Sequence, residues 1–297
     1  MKQLAIIGST ASGKSDLALS LALAHNAVIF SIDSLSIYQE IDIASAKPSK
    51  EERDEILHFG IDTLSPDQNA SVFTFIDEYH RALAYALEHQ KNIVIVGGSS
   101  FYLKSMVDGL SYIPAISDNT RHRANTMLQD IESAYEFLAD IDPVTMAKIQ
   151  PTDPYRIEKM LHLYLQTSTP PSEWFLAHPP KPIIEMCPVL ELGVERTLLR
   201  ERIALRTEKM FRMGLIDEVA QLEHSYGRLP NSMKAIGIIE TLEYLDGKIS
   251  KAVLKEQIAT HTAQLAKRQQ TFNTHQFTLT ASATADQLEE IGKKILQ

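Results

Sequence analysis

Eight residues near the start of the chain, Gly8-Ser9-Thr10-Ala11-Ser12-Gly13-Lys14-Ser15, fit the spacing G-x-x-x-x-G-K-[ST]. That spacing suits a pyrophosphate. Gly8 and Gly13 permit backbone angles that side chains forbid, so successive N–H groups can turn inward on an anion. A helix opening after the loop adds the positive end of its dipole, and Lys14 adds a point charge. Ser15 can place a hydroxyl on a magnesium ion that bridges two phosphate oxygens. The loop predicts a pyrophosphate-bearing ligand without saying which ligand, or which bond breaks.

Two further turns could join it. Asp33 closes the β-rich run Ala27 to Ile32. A carboxylate at the end of a core strand points into the crevice where ligands bind in open α/β sheets. There it could hold a metal through water, take a proton from a substrate, or simply cap the following turn. Gly97-Gly98-Ser99-Ser100 ends a second buried run, Ile93 to Val96. An acid, a hydroxyl and a pyrophosphate cradle suit a transfer reaction. With a nucleoside triphosphate a phosphoryl group would move; with an allylic pyrophosphate a carbon group would move and pyrophosphate would leave. Spacing alone leaves both open.

The elements that must hold these turns read as an α/β core. Leu4–Ile7, Ala27–Ile32, Ile93–Val96 and Val189–Val194 are apolar runs, the first three each followed by a turn and a helical pattern. Such runs predict parallel strands covered on both faces. Ser71 is placed to cap a helix whose apolar positions are Val72, Ile76, Tyr79, Leu83 and Leu87. At Ile113-Pro114 the β-runs stop. Short helices are expected over 118–131, 132–139, 143–149 and 155–166, with Thr169-Pro170-Pro171 and Pro179-Pro180 as breakers. The expected organisation is a parallel-sheet α/β core that carries the phosphate loop, residues 1–112 and 185–297, with an all-helical insertion over 113–184. From Arg196 to Tyr226 and from Met233 to Asn273 the pattern is again helical.

Composition sets the bounds. The chain has 297 residues, 44% hydrophobic and 23% charged, as expected of a soluble globular protein. No apolar stretch reaches the ~20 residues of a membrane span, and no signal peptide precedes Gly8. One cysteine, Cys187, allows no internal disulfide and fits a reducing cytoplasm. Cysteine and histidine show no zinc spacing. A formal net charge of −9 argues against a nucleic-acid partner. Charge is local, however. No acidic residue lies between Glu256 and Asp286, where Lys267 and Arg268 sit. A second basic run, Arg196 to Arg212, is diluted by Glu195, Glu201 and Glu208. On charge alone both runs read as solvated helix faces.

Several blocks together resemble the tRNA dimethylallyltransferase family. GSTASGKS resembles that family's GPTASGKS. Asp33-Ser34-Leu35-Ser36-Ile37-Tyr38 resembles D-S-x-Q-x-Y, and Asp42 to Pro48 resembles D-I-G-T-A-K-P. Gly97 to Lys104 resembles G-G-T-x-x-Y-x-K. Asp142-Pro143, Asp153-Pro154 with Arg156, and Leu265-Ala266-Lys267-Arg268-Gln269 match further blocks in order. The similarity spans nearly the whole chain and thins after about residue 277.

The resemblance implies transfer of a dimethylallyl group from its pyrophosphate to the exocyclic amine of the adenosine 3′ to the anticodon, in tRNAs reading codons that begin with U. It implies Asp33 as proton acceptor, with Lys14, the residue 10–15 backbone and a magnesium ion on Ser15 stabilising the leaving pyrophosphate. Ser99 replaces the family threonine beside the amine. Ser34, Leu35, Ser36, Arg121, Arg156, Lys234, Lys267 and Arg268 are the expected tRNA contacts, beside Asp33 and Ser99. The implied fold is a P-loop kinase-like α/β core whose helical insertion grips the anticodon stem-loop. Apart from the resemblance, the single cysteine points to the cytoplasm, and the lack of a heptad or exposed apolar strand points to a monomer. Ser36 stands where the family has glutamine, Lys234 where many members have arginine, and Gly237-Ile238-Ile239-Glu240 replaces G-Y-R-Q. Competing expectations are an isopentenyltransferase on free adenine nucleotides, a small-molecule kinase, and a nucleotide-gated binding protein without catalysis.

Overall fold

The structure is a computed structural model describing residues 1–185 and 187–297. The described residues divide into two compact units, Met1–Val107 with Ile184–Gln297, and Asp108–Ile183.

The first unit is built on an all-parallel sheet of six strands: β1 (Gln3–Ile7), β2 (Ala27–Ser31), β3 (His58–Phe59), β4 (Asn92–Val96), β5 (Val189–Leu192) and β6 (Ala281–Ala283). Their order is β3-β2-β4-β1-β5-β6. Register sets where the turns leave the sheet: Val96 pairs with Ile6 on one side and Ser31 on the other. The ends of β1, β2 and β4 are therefore level, and the three chemistry-bearing turns leave the same sheet edge.

Both faces of the sheet are covered, as continuous apolar strands require. Leu4 and Ile6 of β1 pack with Leu17, Ala18 and Leu21 of α1 (Lys14–Ala24) and with Leu288 and Leu296 near the C-terminus. On β2, the Phe30 ring lies 5.8 Å from Tyr79 of a long helix over Val72–Glu88. Each such fully buried side chain contributes about 1.5–3 kcal/mol relative to an exposed one.

The remaining helices, in chain order, are α2 (Lys50–Glu55), α3 (Val72–Glu88), α4 (Ser100–Asp108), α5 (Asp118–Met127), α6 (Ile131–Ile141), α7 (Pro143–Met146), α8 (Pro154–Thr167), α9 (Pro171–Ala177), α10 (Arg196–Met213), α11 (Leu215–Tyr226), α12 (Ile238–Leu245), α13 (Lys251–Gln276) and α14 (Ala285–Leu296). Among the described residues none is long and apolar enough to cross a membrane.

Ser71 caps α3 as expected, accepting from Thr74 N. In the second unit, Asp130, Asp142 and Asp153 each cap a helix, and Pro143 and Pro154 take the first helical turn. Aspartate followed by proline thus starts a helix for a local reason. The helix expected over 118–131 stops at Met127 because Asp130 opens the next one. Pro170-Pro171, expected to break structure, instead starts α9. The pattern from Arg196 to Tyr226 is cut in two by Gly214, whose φ of 100° ends α10. The strand expected to run to Val194 ends at Leu192, and β3, β6 and α14 form where no element was expected.

Candidate active site

The loop after β1 folds as an anion cradle. Gly8, Ala11 and Gly13 have φ of 149°, 61° and 98°. A side chain on Gly8 would sit 2.9 Å from the Leu192 carbonyl oxygen. Ser12 N donates to Ser9 O at 3.2 Å, closing the turn. Lys14 Nζ folds back to donate to Ser9 O at 2.7 Å. The Lys14 side chain is buried, and burial lowers its pKa to about 8. Asp33 pulls that value up and Arg206 pulls it down.

Asp33 leads the turn after β2. Its Oδ1 accepts from Leu35 N at 2.9 Å and Ser36 N at 3.1 Å. Ser99 Oγ, from the turn after β4, accepts from Ser34 N at 3.0 Å, while Ser99 N donates to Ile32 O at 3.2 Å. Gly97 is needed there because an added Cβ would lie 2.6 Å from the Ile32 carbonyl carbon.

These turns face one cavity of about 1400 Å³ in the first unit. Thr10 to Ser15, Asp33, Ser34, Leu35, Ser36, Ser99, Lys234 and Arg268 all line it. Ser36 is 95% buried, so its short side chain shows little surface there. Gly8 and Ser9 sit behind the cradle and do not line the cavity. Lys267 is exposed on α13 and does not line it either. Lys234 Nζ donates to Asn231 Oδ1 at 3.1 Å. Arg121 and Arg156 belong to the second unit, where Arg121 Nε donates to Ile116 O at 3.3 Å and Arg156 Nε lies 3.5 Å from Asp153 Oδ2.

Four residues at the cavity or against its wall had no site role from sequence reasoning. Arg202 Nη1 donates to Ser12 O at 2.6 Å, and Arg206 Nη2 donates to Ser45 O at 3.2 Å. Burial lowers the Arg206 pKa, and the Asp33 charge raises it in part. Both arginines lie on α10 beside its buried positions Leu199, Ile203, Thr207 and Met210. That placement, at the border of the apolar stripe, was the signal; counting charge along the run concealed it. Gln269 of α13 accepts from Thr10 N at 2.7 Å and donates from Nε2 to Gly98 O at 2.9 Å. The Thr10 amide, expected to face the anion, is thus already taken. Glu218 of α11 accepts from Asp42 N, Ile43 N and Ala44 N at 3.0, 2.7 and 2.9 Å, clamping the cavity-lining segment 42–48. Lys47 braces that segment from within, donating to Tyr38 O, Asp42 Oδ1 and Asp62 Oδ1.

A cationic cradle beside a carboxylate and a hydroxyl can hold a pyrophosphate at one end and accept a proton at the other. Among the described residues no group of three or more His, Cys, Asp or Glu side chains could hold a metal by itself. The oxygen donors present suit a magnesium ion, which takes one or two protein oxygens and completes its shell with phosphate oxygens and water.

The chain is similar to known proteins over nearly its whole length. The family model described as IPP transferase matches residues 36–276. The tRNA dimethylallyltransferase of Sulfurimonas denitrificans is 54% identical over 291 residues, 98% of each chain. That of Helicobacter pylori is 43% identical over 279 residues, 93% of this chain and 88% of the relative. Among solved structures, the tRNA isopentenylpyrophosphate transferase of Bacillus halodurans superposes with a TM-score of 0.71 at 27% identity, covering 99% of this chain and 96% of that one. A eukaryotic dimethylallyltransferase acting on tRNA gives 0.80 at 25% identity, covering 92% and 70%. With matches of this length and identity, the chain belongs to the tRNA dimethylallyltransferase family of enzymes.

Proposed function

We propose that this protein transfers a dimethylallyl group from dimethylallyl pyrophosphate to the exocyclic amine of the adenosine on the 3′ side of the anticodon, in tRNAs reading codons that begin with U. The observation that carries the reading is the convergence of the cradle, Asp33 and Ser99 on one cavity. Membership of a family named for dimethylallyl transfer to tRNA supports the choice of these two substrates.

The chemistry explains the arrangement. Adenine's exocyclic nitrogen is a poor nucleophile because its lone pair is delocalised into the ring. As the bond from this nitrogen to the allylic carbon forms, the bond from that carbon to the pyrophosphate oxygen breaks. The nitrogen's proton then passes to the Asp33 carboxylate. Ser99 Oγ, fixed by Ser34 N, stands beside the amine. Negative charge gathers on the leaving pyrophosphate, where the N–H groups of Ala11 and of Gly13 to Ser15, the Lys14 ammonium and the Arg202 and Arg206 guanidiniums stabilise it. Ser15 would hold a magnesium ion, which supplies further charge to the pyrophosphate oxygens. The target base must leave the loop stack to enter the cavity. Ser34, Leu35, Ser36, Lys234, Lys267 and Arg268 would contact tRNA from the first unit, and Arg121 and Arg156 from the second. The enzyme would act as a monomer in the cytoplasm.

A transfer assay tests the reading. Purified protein is incubated with labelled dimethylallyl pyrophosphate, magnesium, and either an unmodified anticodon stem-loop or adenosine monophosphate. Label on the stem-loop, lost in Asp33→Ala and Lys14→Ala, is the expected result. Label on the free nucleotide alone would move the protein to nucleotide prenylation. No label on either, with the protein folded and binding a nucleoside triphosphate, would overturn prenyl transfer in favour of a kinase.

A further inference from the structure

We propose that Gln269 is a positioning residue that sets the span between the pyrophosphate cradle and the amine-side turn. The inference rests on the transfer reaction proposed above and names how its two halves are held in register. One side chain makes both links. Gln269 Oε1 accepts from Thr10 N at 2.7 Å, and Nε2 donates to Gly98 O at 2.9 Å. An added Cβ at Gly98 would lie 2.6 Å from Gln269 Nε2, so a larger residue there would push the amide aside. From Gly98 the linkage continues: the neighbouring Ser99 accepts from Ser34 N, and Ser34 follows Asp33. A short bonded path thus joins the group that steadies the leaving pyrophosphate to the group that takes the proton.

The chemistry of the side chain fits the task. A neutral amide offers an acceptor and a donor in one plane, so it can hold an N–H on one side and a carbonyl on the other. A carboxylate would lack the donor and would place negative charge against a pyrophosphate. A lysine or arginine would lack the acceptor. The helix behind Gln269 gives it a firm base. Ala266 of α13 packs with Leu199 and Ile203 of α10, and Ala11 of the cradle packs on the same cluster. Transfer needs the allylic carbon between the departing oxygen and the attacking nitrogen. A displacement of about 1 Å in such a geometry costs about 100-fold in rate.

Gln269→Ala and Gln269→Glu test this in the full-length protein. Three quantities are read for each: hydrogen exchange of the Thr10 amide, the thermal midpoint, and kcat and KM for donor and stem-loop separately. Thr10 should exchange slowly in the wild type and quickly in Gln269→Ala. The alanine variant should lose about 10- to 100-fold in kcat while both KM values stay within about threefold and the midpoint holds. Gln269→Glu keeps an acceptor for Thr10 N but loses donation to Gly98 O, so it should protect Thr10 without restoring kcat. An unchanged kcat in Gln269→Ala overturns the proposal. So does glutamate restoring kcat, or a rate loss matched by a collapse in midpoint in both variants. If wild-type protein labels no stem-loop, the transfer reading has failed; Thr10 exchange then still reports whether the strap exists.

Discussion

The two backbone hydrogen bonds that Asp33 accepts both fall on Oδ1. Asparagine keeps that oxygen and removes the basic carboxylate. Asp33→Asn should therefore preserve the turn and slow the chemical step by about 10²- to 10⁴-fold, read in single-turnover transfer. A wild-type rate in that variant would assign the proton to another group. Gly97 makes a different demand. Its missing Cβ leaves room for the Ile32 backbone, which no rotamer change can move aside. Gly97→Ala should destabilise the protein by about 1–3 kcal/mol in denaturant unfolding, with activity falling as the Ser99 turn shifts. At this scale the sequence was legible where chemistry is written in neighbouring residues. Gly8 to Ser15 declared a cradle because eight adjacent positions make one. Gln269 stands in a block that resembles the family's, yet its role was not legible, because its partner Thr10 lies 259 residues away and only the fold joins them.

Elements hold the cavity open by gripping its loops, and Glu218 shows the strength of that grip. Burial raises the Glu218 pKa, hydrogen bonds from the amides of residues 42–44 lower it in part, and the Asp42 charge adds to the rise. A carboxyl raised above its ordinary value of 4.5 binds its proton more tightly folded than unfolded. The stability this gives is complete below pH 4.5 and is lost as pH rises through the folded value. Glu218→Gln cannot titrate. The wild type should therefore exceed the variant in thermal midpoint by a wider margin at pH 4 than at pH 8; a margin independent of pH would sink the idea. Among the strands, β1, β2, β4 and β5 were readable because each buries an apolar run on both faces. By contrast, β3 and β6 stand at the sheet edges, with two and three residues respectively. Neighbours hold them in place: Ile29 and Phe30 pair β3, and Leu190 to Leu192 pair β6. An edge strand of that length carries no period of its own for sequence analysis to find.

Across the whole molecule, a chain of net charge −9 that acts on RNA must keep its acids away from the phosphates it meets. Residues 257–285 contain none, and α13 spans most of that window, with Lys267 and Arg268 exposed. Among the described residues neither cation is paired with a carboxylate, and both are exposed, so both are open to a polyanion. Each phosphate contact releases condensed counterions, and binding then weakens as salt rises. Lys267→Ala and Arg268→Ala should each lower stem-loop affinity to a similar degree across sequences. Each should also reduce the slope of log K against log salt by about 0.7–0.9. Lys293 provides the contrast: it lies 3.3 Å from Glu289 and 2.9 Å from Glu290, so its charge is already answered. Lys293→Ala should leave the slope unchanged. Equal slopes in all three variants would make the acid-free window a solvated helix face. Loss confined to Lys267 and Arg268 would mark α13 as the helix that meets the RNA backbone while, on its inner side, Gln269 holds the cradle.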